Sequence, residues 1–295
     1  MLGLAFSVLG AAAYSGLDVT GKMAYENGLN VTTLLSLRFV GAGIAVLILA
    51  QAFRKERLPE RRVLFRFFAL GAFAYALESF LLNSSISRMP VAAVILIFYA
   101  YPSIVAVLAF VVNREPLGGV KLAALLLGVL GIALLLGFPT KGMTATGVTL
   151  ALGAALAFAA YAIVAEREVR EVNPIVFSGV VLLGAGASIT LIGSATRSVH
   201  IAVALDALGW VILHMFLIAT GVVAFAAAIT KLGATRAAIG NTIEPALTVI
   251  LAIAFLGERP RVLQLVGGGL LVCAIVLLPR STRTRELAAD VPVHE

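Results

Sequence analysis

The sequence predicts an all-α integral membrane protein, with ten transmembrane helices arranged as two inverted five-helix repeats. Three observations predict it. The 295-residue chain is 61% hydrophobic and only 13% charged, with a mean hydropathy of +1.07. A soluble domain is about 45–50% apolar and about 25% charged, so one aqueous core cannot shelter this much apolar side chain. The apolar residues fall in runs of roughly 17–25, the length that crosses a bilayer as a helix. Finally, a displacement of 143 residues lays the second half of the chain on the first.

The runs predict spans at 2–24, 30–53, 63–84, 90–113, 120–138, 147–166, 174–196, 208–230, 235–256 and 261–279. Pro90, Pro174 and Pro260 are expected at first-turn positions, where a missing N–H does no harm. The first run has no Lys or Arg before it and continues to Ala24, so it reads as a span and not as a signal peptide. Residues 280–295 are polar and read as a tail. Spans five and ten are almost uniformly apolar and are expected to face lipid or packed protein.

Of the 22 basic residues, 14 lie in the connectors and tail on the side of the N-terminus and 5 in the opposite connectors; Lys22, Arg38 and Arg66 fall within spans. Basic residues concentrate on the cytoplasmic side, so both termini are expected inside. The net charge of +7 is thus a topology signal. No basic stripe with interleaved aromatics points to nucleic acid. Cys273 is the single cysteine, and His200, His214 and His294 have no metal-ligand spacing. No cofactor is expected. The stretch "GLDVTGKM", Gly16 to Met23, matches seven positions of a phosphate-binding loop but puts Met23 where Ser or Thr must reach magnesium, within a spanning helix. ATP binding is excluded on that ground.

The 143-residue offset aligns Pro102 with Pro245, Glu115 with Glu258, Asn30 with Asn173, "LGAA" at 9–12 with "LGAA" at 152–155, and "GAG" at 41–43 with "GAG" at 184–186. One ungapped offset shared by all of them predicts two homologous units, 1–143 and 144–279, followed by the tail 280–295. Five helices is an odd number, so the second unit enters the membrane from the opposite side. Inverted repeats of this kind place a substrate site near the midplane, where the units meet. The twin prolines each free a carbonyl four residues earlier, on Phe98 and Asn241. They are either packing kinks or hinges that expose a carbonyl to a cavity. Glu115 and Glu258 precede helices and are expected to cap them.

The ten spans, the paired five-helix units and, in each unit, a fourth helix with a central proline running into an acidic turn ("AYPSIVAVLAFVVNREP", "IEPALTVILAIAFLGERP") resemble the drug/metabolite transporter superfamily, EamA type. The second copy is the more typical; the first has Asn113–Arg114 where Gly–Glu would stand. Within the superfamily the chain is most similar to the YddG-like amino-acid exporters of bacterial inner membranes. The resemblance implies alternating access, a multi-pass protein of the bacterial inner membrane, and a substrate path lined mainly by helices 1, 3 and 4 and their partners 6, 8 and 9.

Ionisable residues within spans usually face a partner or a wet cavity. Here they are Asp18, Lys22, Arg38, Glu78 and Glu244. At about 1.5 Å rise per residue, Asp18 and Glu78 lie about 9 Å, and Arg38 about 12 Å, from the outer ends of their spans. Asp18 and Lys22 share a helix face. These four are expected to meet in one outer network, either as permanent ion pairs or as a gate. Glu244, beside Pro245 near mid-span, is a candidate for carrying a proton or binding a substrate ammonium, with a purely structural role as the alternative. Tyr75, Tyr99, Tyr101, Tyr161, His214 and Asn241 are candidate lining residues for a flat or apolar substrate, although each alone would serve equally as packing. Trp210 is expected in the interfacial belt.

The leading function is therefore export of a small metabolite, above all a neutral or aromatic amino acid, by a secondary carrier in the lipid bilayer, with a monomer favoured. A nucleotide-linked or cationic substrate is the alternative within the same class. A lipid-modifying membrane enzyme would need a clustered catalytic set, which the sequence lacks. A scaffold would not need five ionisable residues in its spans.

Overall fold

The computed structural model describes residues 2–54, 58–101, 104, 107, 119, 123, 126–128, 130–131, 134, 141–169, 172–232 and 243–277. All regular structure among them is helical. The elements are α1 (Leu2–Glu26), α2 (Val31–Arg54), α3 (Arg61–Leu70), a π-helical turn (Gly71–Tyr75), α4 (Ala76–Ile86), α5 (Val91–Phe98), α6 (Ala145–Val169), α7 (Pro174–Ala195), α8 (Ile201–Asp206), α9 (Leu208–Leu232), α10 (Glu244–Leu256) and α11 (Val262–Leu277). Among the described residues, six stretches are long and apolar enough to cross a membrane: Leu2–Glu26, Val31–Ala52, Arg61–Ile86, Ala145–Ala162, Pro174–Ala195 and Leu208–Phe225. Large apolar side chains such as Ile48, Phe65, Phe73, Leu191, Phe216 and Phe255 face outward. In water that surface would be a liability; in a bilayer it faces lipid.

Several expectations are corrected. The connector between the seventh and eighth spans contains the short helix α8. Pro174 opens α7 as expected, with the Asn173 side chain accepting from Ile175 N at 2.8 Å, but Pro90 is the N-cap of α5 and not its first residue. The third span is one continuous helical stretch interrupted by the π-helical turn, which its composition does not announce. Pro245 does not kink the middle of a continuous helix: it stands in the first turn of α10, which begins at Glu244. There its missing N–H leaves no bond broken. Pro102, Glu115 and Asn241, and most of the fifth span, lie outside the described residues.

Close approach of helices organises the bundle. The most extensive contact is α2 on α7. A Cβ on Gly43 would lie 2.9 Å from Leu183 side-chain atoms and 3.0 Å from its backbone nitrogen, and one on Gly186 would lie 2.8 Å from the backbone nitrogen of Val40. Gly43 and Gly186, like Val40 and Leu183, are 143 residues apart, so the contact is reciprocal. The same reciprocity runs through the rest. Helix α1 packs along α9 and α10, and α6 packs along α4 and α5. The third span presses still closer: a Cβ on Gly71 would overlap the Val181 carbonyl, and one on Gly184 the Phe68 carbonyl.

Glu258 also departs from expectation. It caps α5 and not the helix that follows it. Gly257, with φ 63°, closes α10 in the left-handed conformation that glycine adopts without a Cβ penalty. The chain turns back, and the Glu258 carboxylate accepts Val91 N–H at 2.6 Å and Ala92 N–H at 3.0 Å. Two of the four orphan donors at the start of α5 are satisfied in this way. Partial burial pushes the Glu258 carboxyl up from its ordinary range, while the two N–H groups and Lys22 pull it down.

Two predictions follow from this packing. Gly71→Ala should abolish recovery of monodisperse protein, because its methyl group meets backbone. Gly16→Ala, whose Cβ would rest 3.5 Å from the Leu217 side chain, should purify normally; size-exclusion chromatography in detergent compares them. Glu258→Ala should lower stability by about 1–2 kcal/mol, read by thermal unfolding in micelles.

Candidate functional site

Three irregular backbone segments deliver the candidate site. Helix α5 stops at Phe98; Tyr99 has ψ 8°, and Ala100 N–H bonds Ile97 O at 3.0 Å in the tighter i→i+3 manner. On a regular helix Tyr99 and Tyr101 would point about 200° apart. Here their ring centroids are 5.5 Å apart. The π-helical turn carries Tyr75, consistent with the tendency of such turns to lie at functional sites. The third segment is the start of α10 at Glu244.

Around these segments runs a continuous aromatic wall. Tyr101 meets Phe158 at 4.7 Å, Phe158 meets Tyr161 at 5.8 Å, Tyr161 meets Tyr75 at 5.2 Å and Tyr75 meets Phe39 at 5.6 Å. Tyr14, Tyr75, Tyr101 and Tyr161 keep partial surface exposure while lying deep among protein atoms. Of the sequence candidates, Tyr75, Tyr99, Tyr101 and Tyr161 are brought together; His214 lies apart from the wall, buried on α9. Asn241 is outside the described residues, and Pro245 supports the wall only by opening α10.

The charges are arranged differently from the expected ion-pair network. Arg66 and Glu168 form an ion pair at 3.2 Å, away from the expected network. Asp18, Arg38 and Glu78 lie within electrostatic reach of one another, and Asp18 also of Glu244, yet Asp18, Arg38 and Glu78 form no ion pair with one another within 4.0 Å. Lys22 turns away and reaches Ser87 O at 3.5 Å. The reason is competition from nearer dipoles. Glu78 Oε2 accepts from Ser79 Oγ at 2.8 Å. Arg38 donates from Nη1 to His214 Nδ1 at 3.4 Å and lies 4.7 Å over the Phe39 ring. A guanidinium only donates, so His214 carries its proton on Nε2, which meets Thr20 Oγ1 at 3.0 Å; Thr20 passes its own proton to Gly16 O at 2.6 Å. This chain ties α2, α9 and α1 together around a neutral imidazole. Glu244 is held by the Tyr99 hydroxyl, and its backbone carbonyl accepts from Ser15 Oγ at 3.1 Å.

Sequence reasoning missed Phe158, Phe39, Thr20 and Thr248. Phe158 and Tyr161 are three apart and share a helix face, which is the one signal that could have found the pair. The others resemble ordinary residues of an apolar span.

Comparison with known proteins fits this architecture. The model of the EamA-like transporter family matches residues 1–137 and again residues 145–279. The chain belongs to the EamA-like transporter family. An uncharacterized transporter of Clostridium kluyveri is 22% identical over 278 residues, covering 90% of this chain and 89% of its own. A crystal structure at 20% identity superposes with a TM-score of 0.58 over 96% of this chain and 99% of that one, a likeness of fold. As a member of this family, the protein is a multi-pass membrane transporter.

The Tyr99–Glu244 contact is testable within this transporter fold. Tyr99→Phe and Glu244→Gln should each destabilise it by about 1–3 kcal/mol, and the double variant should lose less than the sum. Strictly additive losses in detergent unfolding would show that the two groups do not interact.

Proposed function

We propose that this transporter exports neutral or aromatic amino acids, or close analogues, from the bacterial cytoplasm by alternating access. Its working parts are two inverted five-helix units, residues 1–143 and 144–279, with 280–295 as a cytoplasmic tail, and it acts as a monomer without ATP. Specificity of the YddG-like kind belongs to the same proposal. The observation that carries it is the contiguous aromatic wall of Tyr75, Tyr101, Phe158 and Tyr161, with the buried charges of Asp18, Arg38, Glu78 and Glu244 in the same bundle. Aromatic faces suit a flat or apolar side chain, and charges of both signs suit a small polar head. The reciprocal contacts of Gly43 with Leu183 and of Gly186 with Val40 support the two-unit reading, as does the double match to one family model. Three buried carboxylates against one guanidinium favour a cationic compound as the second reading.

Proteoliposomes containing the purified protein should exchange labelled L-phenylalanine. Tyr101→Ala should change the ranking of amino acids by severalfold, at a smaller cost in stability. Exchange of an organic cation with no amino acid carried would replace this substrate by the second reading. For orientation, Cys273 is exchanged for alanine and single cysteines are placed by Arg57→Cys or Lys141→Cys. An impermeant maleimide applied to intact cells should label position 141 and not position 57. Labelling of both would overturn the topology.

A further inference from the structure

We propose that Asp18 and Arg38 grip the two charged ends of one zwitterionic substrate, Asp18 its ammonium and Arg38 its carboxylate. The proposal rests on the amino-acid reading above and assigns the residues that recognise the head of the substrate. It begins with unused hydrogen-bonding capacity. Asp18 is 8% exposed and Arg38 4%, yet Asp18 Oδ2 and Arg38 Nε have no hydrogen-bond partner. A buried charged group with unfilled valence is expensive, and it is retained within a spanning helix where function requires it.

The other acids of the site are already engaged. Glu78 holds Ser79 Oγ at 2.8 Å, and Glu244 is held by Tyr99. Asp18 is the carboxylate with an oxygen that is both fully buried and without a hydrogen-bond partner. Beside it on α10 stands Thr248, a side-chain neighbour of Asp18 whose buried Oγ1 makes no hydrogen bond within 3.5 Å; together they offer acceptors to an ammonium group. On the other side the Arg38 guanidinium is fixed by His214 at 3.4 Å and by the Phe39 ring at 4.7 Å, with Nε open. A planar guanidinium matches a carboxylate through paired N–H groups.

The two groups are close enough to feel each other's charge but form no ion pair within 4.0 Å. A direct pair would consume both valences and close the site. Held apart, the two charges present one acceptor end and one donor end, which is the pattern of an α-amino and an α-carboxyl group separated by a single carbon. The aromatic wall then receives the side chain.

Three probes of equal aromatic bulk test this in proteoliposomes: L-phenylalanine, phenethylamine, which lacks the carboxylate, and 3-phenylpropionate, which lacks the ammonium. Each is read by competition against labelled L-phenylalanine in counterflow. The wild type should prefer phenylalanine over either analogue by about tenfold or more, because each analogue leaves one buried charge unmatched. Arg38→Gln should shrink the gap to phenethylamine and keep the gap to phenylpropionate; Asp18→Asn should do the reverse. A merely structural role would lower all three together and leave the ratios unchanged, which overturns the assignment. If either variant fails to fold, the wild-type ratios decide: competition by an analogue within about twofold of phenylalanine removes the two-ended grip and leaves amino-acid export standing. If no amino acid is carried, the amino-acid reading falls and the assignment falls with it.

Discussion

Hydrocarbon offers a backbone N–H or C=O no hydrogen-bond partner, so every irregular turn of this chain has to lie inside protein or along a cavity. That constraint shapes everything else. Among the described residues, regular helix gives way at the π-helical turn at Gly71–Tyr75, at the end of α5 at Phe98 and at the start of α10 at Glu244. All three lie against the aromatic wall. Each supplies a side chain to it: Tyr75, the Tyr99–Tyr101 pair and Glu244. The irregular backbone and the candidate site are thus two aspects of one arrangement.

Keeping such turns covered requires helices that approach closely. Small residues provide that at the α2–α7 crossing and beneath the π-helical turn, where Gly43, Gly71, Gly184 and Gly186 leave no room for a methyl group. Without water between the helices, packing and internal hydrogen bonds carry their association. The Gly43–Leu183 and Gly186–Val40 contacts recur at a separation of 143 residues. Glu258 adds a polar tie of another kind. It projects from the end of α10 and satisfies the first amides of α5, joining the two halves of the chain at one end.

The buried charges follow the same logic with a different outcome. Arg38 spends one donor on His214 and rests on Phe39, and the imidazole completes a relay to Thr20 and Gly16. These contacts fix the guanidinium without neutralising it. Asp18 and Glu78 stay near it without forming an ion pair with it. A bundle selected only for stability would have joined these charges or replaced them with apolar side chains. Their separation is what a transport site needs, since groups already locked in ion pairs have little left to offer a substrate.

Much of this was legible in the sequence, and what was not has a common cause. Composition and the length of the apolar runs determined a helical membrane protein, because the bilayer fixes how many apolar residues a span must have. The 143-residue offset marked Pro245, Glu258 and the two Gly–Ala–Gly motifs as positions of consequence, and the ionisable residues within spans marked the site. Partners were another matter. Glu258 was legible as a cap, but its helix was not, because α5 lies 166 residues away in the chain. The four outer charges were legible as a cluster, yet whether they would pair depended also on His214 and Ser87, which only the packed bundle brings within reach. The π-helical turn left no mark in composition, because its one-residue offset costs no apolar surface and is decided by where α7 presses on Gly71. Local chemistry sets what each segment can be, and the crossing of distant helices decides which of its polar groups find a partner.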